Sequence, residues 1–234
     1  MKKLIPFAAI LLAAGTLLAA DASKDDLSNA IKKLAASDNY SWTTSTDGGR
    51  FTSSTEGKAE KMGYTTLDIT MGDNVNHAVL KDGKGAIKTD GDWQSVADAA
   101  KDDGGGGFSP GRFFALTMQN YKAPAADAES LLAKTQDIKM ADGAYSADLT
   151  EDGAKERLTF RRGGGNGPEV SNAKGSVKFW VKDGMLSKYQ LTTSGHIEFN
   201  GNGRDINRTM TVEIKDIGKT KVEVPDDAKK KISS

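Results

Sequence analysis

Gly107-Phe108-Ser109-Pro110-Gly111 matches G-x-S-x-G, the pattern that sets a serine nucleophile on a sharp strand-to-helix turn. The match is chemically compromised. The residue after the serine must donate its backbone N–H to the oxyanion, and Pro110 has none. The glycines Gly104–Gly107 make a poor strand, and Pro110 suits the first turn of a helix better. The bases on offer are two histidines, His77 and His196. Each falls in a predicted strand, and the one carboxylate at fixed spacing is Glu198, two residues from His196. Both are expected to be packed or solvent-facing strand residues. Two histidines without cysteine do not make a zinc site. Asp73-Asn74 and Asp90-Gly91-Asp92 look like pieces of calcium loops, but they lack the EF-hand spacing and terminal Glu, so hairpin turns are expected there. Gly218-Lys219-Thr220 has the end of a P-loop, yet Glu213 stands where its first glycine is required and a strand precedes it. The residues therefore point away from an enzyme, and no metal or cofactor is expected. A hydrolase built on Ser109 is the weaker alternative.

Composition narrows the class further. Lys+Arg and Asp+Glu are equal at 32 each, so no basic excess is available to hold nucleic acid. The chain has 234 residues with 26 glycines, which suits a turn-rich β protein better than a helical bundle. Cysteine is absent, so stability rests on a core without disulfides. The opening MKKLIPFAAILLAAGTLLAADAS sets two lysines before an apolar run, Leu4–Ala20, and small residues after it. This is the form of a secretory signal peptide, with the cut placed after Ala22 and Ala20 as the nearest alternative. An uncleaved anchor is the competing reading. The run barely reaches the roughly 18–20 residues that span a bilayer, and no later segment is apolar enough. Residues 1–22 are thus expected to be removed, leaving a periplasmic or secreted chain, 23–234, that forms one domain and is a monomer. No cysteine is present for a lipid anchor.

The mature chain is organised by alternation. Val177, Phe179 and Val181 alternate with Lys178 and Lys182, the period of a strand with one buried face. Asp183-Gly184 supplies a tight turn. Tyr189, Leu191 and Thr193 resume the pattern, with Ile197 and Phe199 in step, and Ile206, Met210, Val212 and Ile214 follow on a third strand. Upstream, Asn39–Thr46, Arg50–Ala59, Tyr64–Met71, Asn76–Lys81 and Gly85–Lys88 recur every 8–12 residues with glycine-containing turns, the rhythm of an up-and-down antiparallel sheet. A short amphipathic helix is predicted over Asp26–Ala36, capped by Asp25 or Asp26. Asp102–Gly107 is a flexible loop, followed by helices at Pro110–Tyr121 and Ala128–Lys134. Strands return at Ile138–Met140 and Tyr145–Leu149, with a helix from Thr150 to about Thr159. Gly163–Pro168 is a second loop, Lys219–Val224 a last strand and Pro225–Ile232 a helical turn. The fold class is α+β: an antiparallel sheet of about ten strands with helices covering one face.

Four stretches carry a resemblance: Tyr40-Ser41-Trp42 after the first helix, Lys84–Trp93 (KGAIKTDGDW) ahead of the helical segment, the hairpin Phe179-Trp180-Val181-Lys182-Asp183-Gly184, and the ending Ile214–Pro225 (IKDIGKTKVEVP). Together they resemble the bacterial exported carriers of the LolA, LppX and LprG type, a superfamily that includes the N-terminal domain of RseB-like sensors. The resemblance is one of pattern over most of the mature chain, and none of its motifs is catalytic. It implies a strongly curved antiparallel sheet, an open half-barrel, with helices on its concave face and an apolar space between them. It also implies transport of the acyl chains of a lipid or lipoprotein towards the outer membrane. Mycobacterial members are often lipid-anchored, and this chain without cysteine departs from them.

On that reading the ligand-binding candidates are Trp42, Leu67, Ile69, Phe113, Phe114, Leu116, Phe179, Val181, Leu191, Met210 and Val212. The helix carrying Phe113 and Phe114 is the expected cover; the two rings point about 100° apart. Trp180 is expected to face away from Phe179. The alternative function is an envelope sensor that contacts another envelope or membrane protein.

Overall fold

A computed structural model describes residues 14–48, 52–89, 91–101, 109–159, 168–199 and 201–233. Most of the apolar run, the loops predicted at Asp102–Gly107 and Gly163–Gly167, the start of the Arg50 strand, Asp90 and the side chain of Phe199 lie outside the described residues.

The chain opens with α1 (Ala14–Ala36) and continues with β1 (Asn39–Asp47), β2 (Thr52–Glu60), β3 (Thr65–Met71), β4 (Asn74–Lys81), β5 (Lys84–Lys88) and β6 (Gln94–Ser95). The helices α2 (Val96–Ala99), α3 (Pro110–Gln119) and α4 (Pro124–Leu132) follow, then β7 (Thr135–Ala141), β8 (Ala144–Leu149) and α5 (Glu151–Leu158). The long strands β9 (Glu169–Lys182), β10 (Met185–Phe199) and β11 (Asn202–Lys215) precede α6 (Asp226–Ser233). All the strands join one antiparallel sheet in the order β6-β5-β4-β3-β2-β1-β11-β10-β9-β8-β7, so it stays open, with β6 and β7 at its edges. The two meanders, β1 to β6 and β7 to β11, meet where β11 pairs with β1. The result is the expected curved, open α+β sheet, with α1, α3, α4 and α5 packed on its concave face and α6 on the other.

The hairpin turns follow from local chemistry. Asp82-Gly83, Asp142-Gly143 and Asp183-Gly184 each hold two successive positive φ angles (49° and 76°, 53° and 74°, 53° and 74°), the backbone that a two-residue turn between twisted strands requires. The register then carries one face across the whole sheet. Tyr145, Phe179, Tyr189, Val212, Thr44, Thr55, Ile69 and Asn76 stand opposite one another on successive strands. Phe179 is 1% exposed on this concave face. Trp180 faces the other way, with the Lys188 ammonium 5.3 Å from its ring centre.

The concave face is covered by α1, α3, α4 and α5. In α1, Leu27, Ala30, Ile31 and Leu34 are buried at helical spacing, and α1 packs on α4 and on β7, β9 and β10. The convex face carries a smaller core of its own, in which Ala228 and Ile232 of α6 bury Val79 and Ala86, with Tyr64, Trp93 and Val224 around them.

Three departures from the sequence expectation have a local cause. α1 runs on from Ala14, because no proline or glycine interrupts residues 16–36, so Asp25 and Asp26 lie inside it and cap nothing. The helix expected at Ala128–Lys134 starts earlier, at Pro124, which takes the first-turn position that its missing N–H suits. Lys219–Val224 is not a strand. It crosses the ends of β1 and β2, held by side chains in place of a ladder: Thr220 N–H donates to Asn39 Oδ1 (2.7 Å) and Val222 N–H to Glu60 Oε1 (3.0 Å).

Candidate functional site

Ser109 begins α3 as its N-cap, its Oγ accepting the Arg112 N–H at 3.3 Å, with Pro110 in the first turn. The serine of the G-x-S-x-G match is thus a helix cap; Gly107 and Phe108 lie outside the described residues. Along α3, Phe114 and Met118 are one turn apart and both buried, with Ala115 between them, while Phe113 and Leu116 are half-buried. The helix packs chiefly on α2 and β5.

Between the last turn of α3 and the sheet lies a cavity of about 200 Å³. Its floor is Thr65, Leu80, Gly85 and Val96, its roof Met118 and Tyr121, and the β4–β5 turn forms one lip. Gly85 sets the floor. A Cβ there would lie 2.6 Å from Leu80 Cδ2 and 2.8 Å from Val96 Cγ2, so a larger residue would push both side chains into the cavity.

Behind the cavity a polar network crosses the core. Asp127 of α4 accepts the Arg157 guanidinium of α5 (2.6 Å) on one oxygen and the Tyr189 hydroxyl of β10 (2.9 Å) on the other. Arg208 of β11 donates to the Arg157 carbonyl (2.6 Å). The Asp127 and Arg157 side chains are 14% and 23% exposed, so the pair is largely desolvated. Burial pushes the Tyr121 and Tyr189 phenols far above their usual range; neighbouring Tyr40 and Asp127 add to the shift at Tyr121, and Asp127 to that at Tyr189. Burial also raises Tyr40, whose ring lies 5.5 Å from that of Trp42. It lowers Arg208, as does the nearby Arg157 charge. The indole nitrogen of Trp42 is buried without a hydrogen-bond partner.

None of the sequence candidates lines this cavity. Trp42, Leu67, Phe114, Phe179, Leu191 and Val212 are buried in the common core. Ile69, Phe113, Leu116, Val181 and Met210 are half-buried. Over β8, β9 and β10 the concave face is closed by Ala154 and Leu158 of α5. Over β1, β2 and β3 the packed core reaches Trp42 and Leu67 and then gives way to half-buried Thr44, Thr55, Ile69, Thr46 and Ser53. Leu80, Val96 and Tyr121 were not singled out as site residues. Met118 could have been, since it follows Phe114 at i+4. Leu80 joins the site only through strand pairing, which short-range periodicity does not reveal.

Both histidines have carboxylate partners that sequence spacing did not show. His77 Nδ1 lies 2.7 Å from Asp68 Oδ1 and His196 Nδ1 2.8 Å from Asp205 Oδ1, each pair directly opposite on adjacent strands. Ser171, His196 and Asp205 even stand in one row across β9, β10 and β11. They do not form a nucleophile triad. The free nitrogen of His196, Nε2, packs against Gly203 on β11, on the side away from Ser171. Among the described residues no group of three or more His, Cys, Asp or Glu is placed to hold a metal ion, and no helix is long and apolar enough to cross a membrane.

No family model matches the chain, and no curated protein matches it. Solved structures do. The Mycobacterium tuberculosis lipoprotein LppX is 11% identical over 88% of this chain and 99% of its own, with a TM-score of 0.47. LprF from Mycobacterium bovis is 12% identical over 89% and 98%, with a TM-score of 0.42. A DUF1329 family protein from Desulfovibrio piger is 9% identical over 89% and 95%, with a TM-score of 0.33.

Proposed function

We propose that this chain is an exported, non-enzymatic carrier that binds the acyl chain of a lipid or lipoprotein between α3 and the sheet. The carrying observation is the cavity under the last turn of α3, floored by Leu80 and Val96 and roofed by Met118 and Tyr121. At about 200 Å³ it is smaller than the roughly 300–1,000 Å³ of sites that enclose a ligand. In the resting state it is a half-open cleft too small for a full chain, which enters as α3 lifts. Lifting α3 exposes Phe114 and Met118 at about 1.5–3 kcal/mol each, which about four to eight newly buried methylenes offset at about 0.8 kcal/mol apiece. An ordinary acyl chain has more methylenes than that, which is what a chain taken up from water needs to drive the opening. Trp42, Leu67, Ile69, Phe113, Leu116, Met210 and Val212 become the walls of the opened site, while Phe179, Val181 and Leu191 on β9 and β10 stay covered by α1 and α5.

Export fits the same reading. Cleavage after Ala22 leaves Leu27, Ala30, Ile31 and Leu34, the buried residues of α1, in the mature chain. The protein then works in the periplasm or outside the cell, as a monomer.

The second reading is an envelope sensor or protein-binding module on the same fold. It is favoured by the close filling of the concave face, where Trp42, Leu67, Ala115 and Phe179 are each no more than 1% exposed. Extraction of the purified protein for co-purified lipid separates the two. A bound acyl lipid favours the carrier, and a lipid-free protein that takes up no fluorescent fatty acid favours the sensor.

A further inference from the structure

The turn between β2 and β3 is costly in two independent ways. Met62 sits there at φ 58°, a conformation that a residue with a Cβ adopts with strain, and the residue is 90% exposed. Folding gains nothing from either feature, since glycine or asparagine would hold the same turn with less strain. Gly63, the next residue, lies on the rim of the α3 cavity. That rim also carries basic residues. Lys81 and Lys84 line the lip; Lys61, next to Met62, donates its ammonium to the Ala36 carbonyl (3.3 Å), and Lys122, between Tyr121 and Ala123, donates to Ser130 Oγ (3.0 Å). Lys81 also caps the Tyr64 ring at 4.7 Å, which keeps its charge at the surface. Asp82 stands on the same lip, and Glu60 is tied to the Val222 N–H. The rim thus presents an exposed apolar tip beside two lysines and one aspartate, at the mouth of the α3 cavity.

We infer that this rim docks the protein on an anionic lipid bilayer, with Met62 entering the interface and the lysines meeting the lipid phosphates. The inference rests on the reading of the α3 gap as an acyl-chain site, because docking brings its mouth to the source of the chain. An apolar tip with lysines around it binds by adding buried hydrocarbon to attraction for anionic headgroups, and each lysine adds a share that salt screens.

The test is co-sedimentation of protein purified from the exported fraction with phosphatidylcholine–phosphatidylglycerol vesicles and with vesicles of phosphatidylcholine alone. Binding is expected to the mixed vesicles only and to fall with added salt. Met62→Asn removes the tip while suiting the positive φ, so it folds at least as well. It should weaken binding about tenfold, the value of one buried methionine side chain. The double variant Lys81→Gln/Lys84→Gln should lose more than tenfold, at about fivefold per lysine. Met140→Asn, also at an exposed methionine but on the β7 edge (62% exposed), should bind like the parent. Equal binding to both vesicles, no binding to either, or parental binding by Met62→Asn each overturns the docking surface. Uptake of a fluorescent fatty acid from solution is expected to be unchanged in Met62→Asn. Failed docking with intact uptake therefore overturns this inference alone, and failed uptake overturns the carrier reading.

Discussion

The indole of Trp42 lies flat over Gly57 across the β1–β2 ladder, leaving no room for a Cβ beneath Cε2 and Cζ2. Trp42 is 1% exposed, so it has nowhere to retreat. One large ring and one absent side chain thus form a single packing unit at the centre of the concave face.

Gly57→Ala should therefore destabilise the protein by about 3 kcal/mol, the upper range for overpacking a filled core. Urea unfolding measures it. Combining Gly57→Ala with Trp42→Leu should cost less than the sum of the single changes, because the second removes the ring the first collides with. Full additivity would mean that the two side chains do not meet.

The Asp127 carboxylate ties α4 to α5 and to β10, and its loss should be felt at both partners. Asp127→Ala leaves a largely buried Arg157 guanidinium unpaired and should cost about 3 kcal/mol, at the lower end for a broken buried pair because Arg157 keeps some contact with water. Tyr189→Phe removes only a hydroxyl and should cost about 1 kcal/mol. Denaturant unfolding of the two single variants and the double variant separates these contributions.

Alkaline pH should unfold the protein. Tyr40, Tyr121 and Tyr189 hold their protons more tightly when folded than when unfolded. Below the unfolded phenol pKa of about 10 both states are protonated and the contribution is complete. Above it the unfolded chain releases protons that the folded chain keeps, so stability falls as pH rises. Thermal melting at stepped pH should show this decline beginning near pH 10, and folded-state phenolate absorbance should lag behind the unfolded chain. Melting temperatures that stay level across that range would contradict the buried environment of these rings.

The exported chain should begin at Ser23, which intact-mass measurement of the secreted protein reads directly. A start before Ala20, or retention of Met1, would contradict the proposed cleavage.

What the sequence made legible follows from range. The β9–β10 hairpin and the α3 helix are local objects, and alternation at Val177, Phe179 and Val181 or a Pro after Ser109 suffices to find them. The opposite orientations of Phe179 and Trp180 follow from the same two-residue period. What remained hidden depends on pairing between distant strands. Asp68 meets His77 and Asp205 meets His196 only once the register is set. Leu80 reaches the cavity because β4 lies beside β5 and Gly85 leaves it room. The α6 core on the convex face was hidden for the same reason, since Ala228 and Ile232 look like a solvated turn until Val79 and Ala86 are placed beneath them. The segment Lys219–Val224 alternates like a strand, but it lies across strand ends where no ladder is available.

The carrier reading stands or falls on whether hydrocarbon enters beneath α3. The direct measurement is native mass spectrometry of the exported protein after exposure to a long-chain fatty acid, beside the variant Met118→Trp, whose larger side chain fills the cavity. The account predicts a saturable acyl adduct on the parent chain, and its loss in Met118→Trp with the fold intact by circular dichroism. A parent chain that carries no co-purified lipid and takes up none, or a Met118→Trp variant that binds as well as the parent, would contradict it.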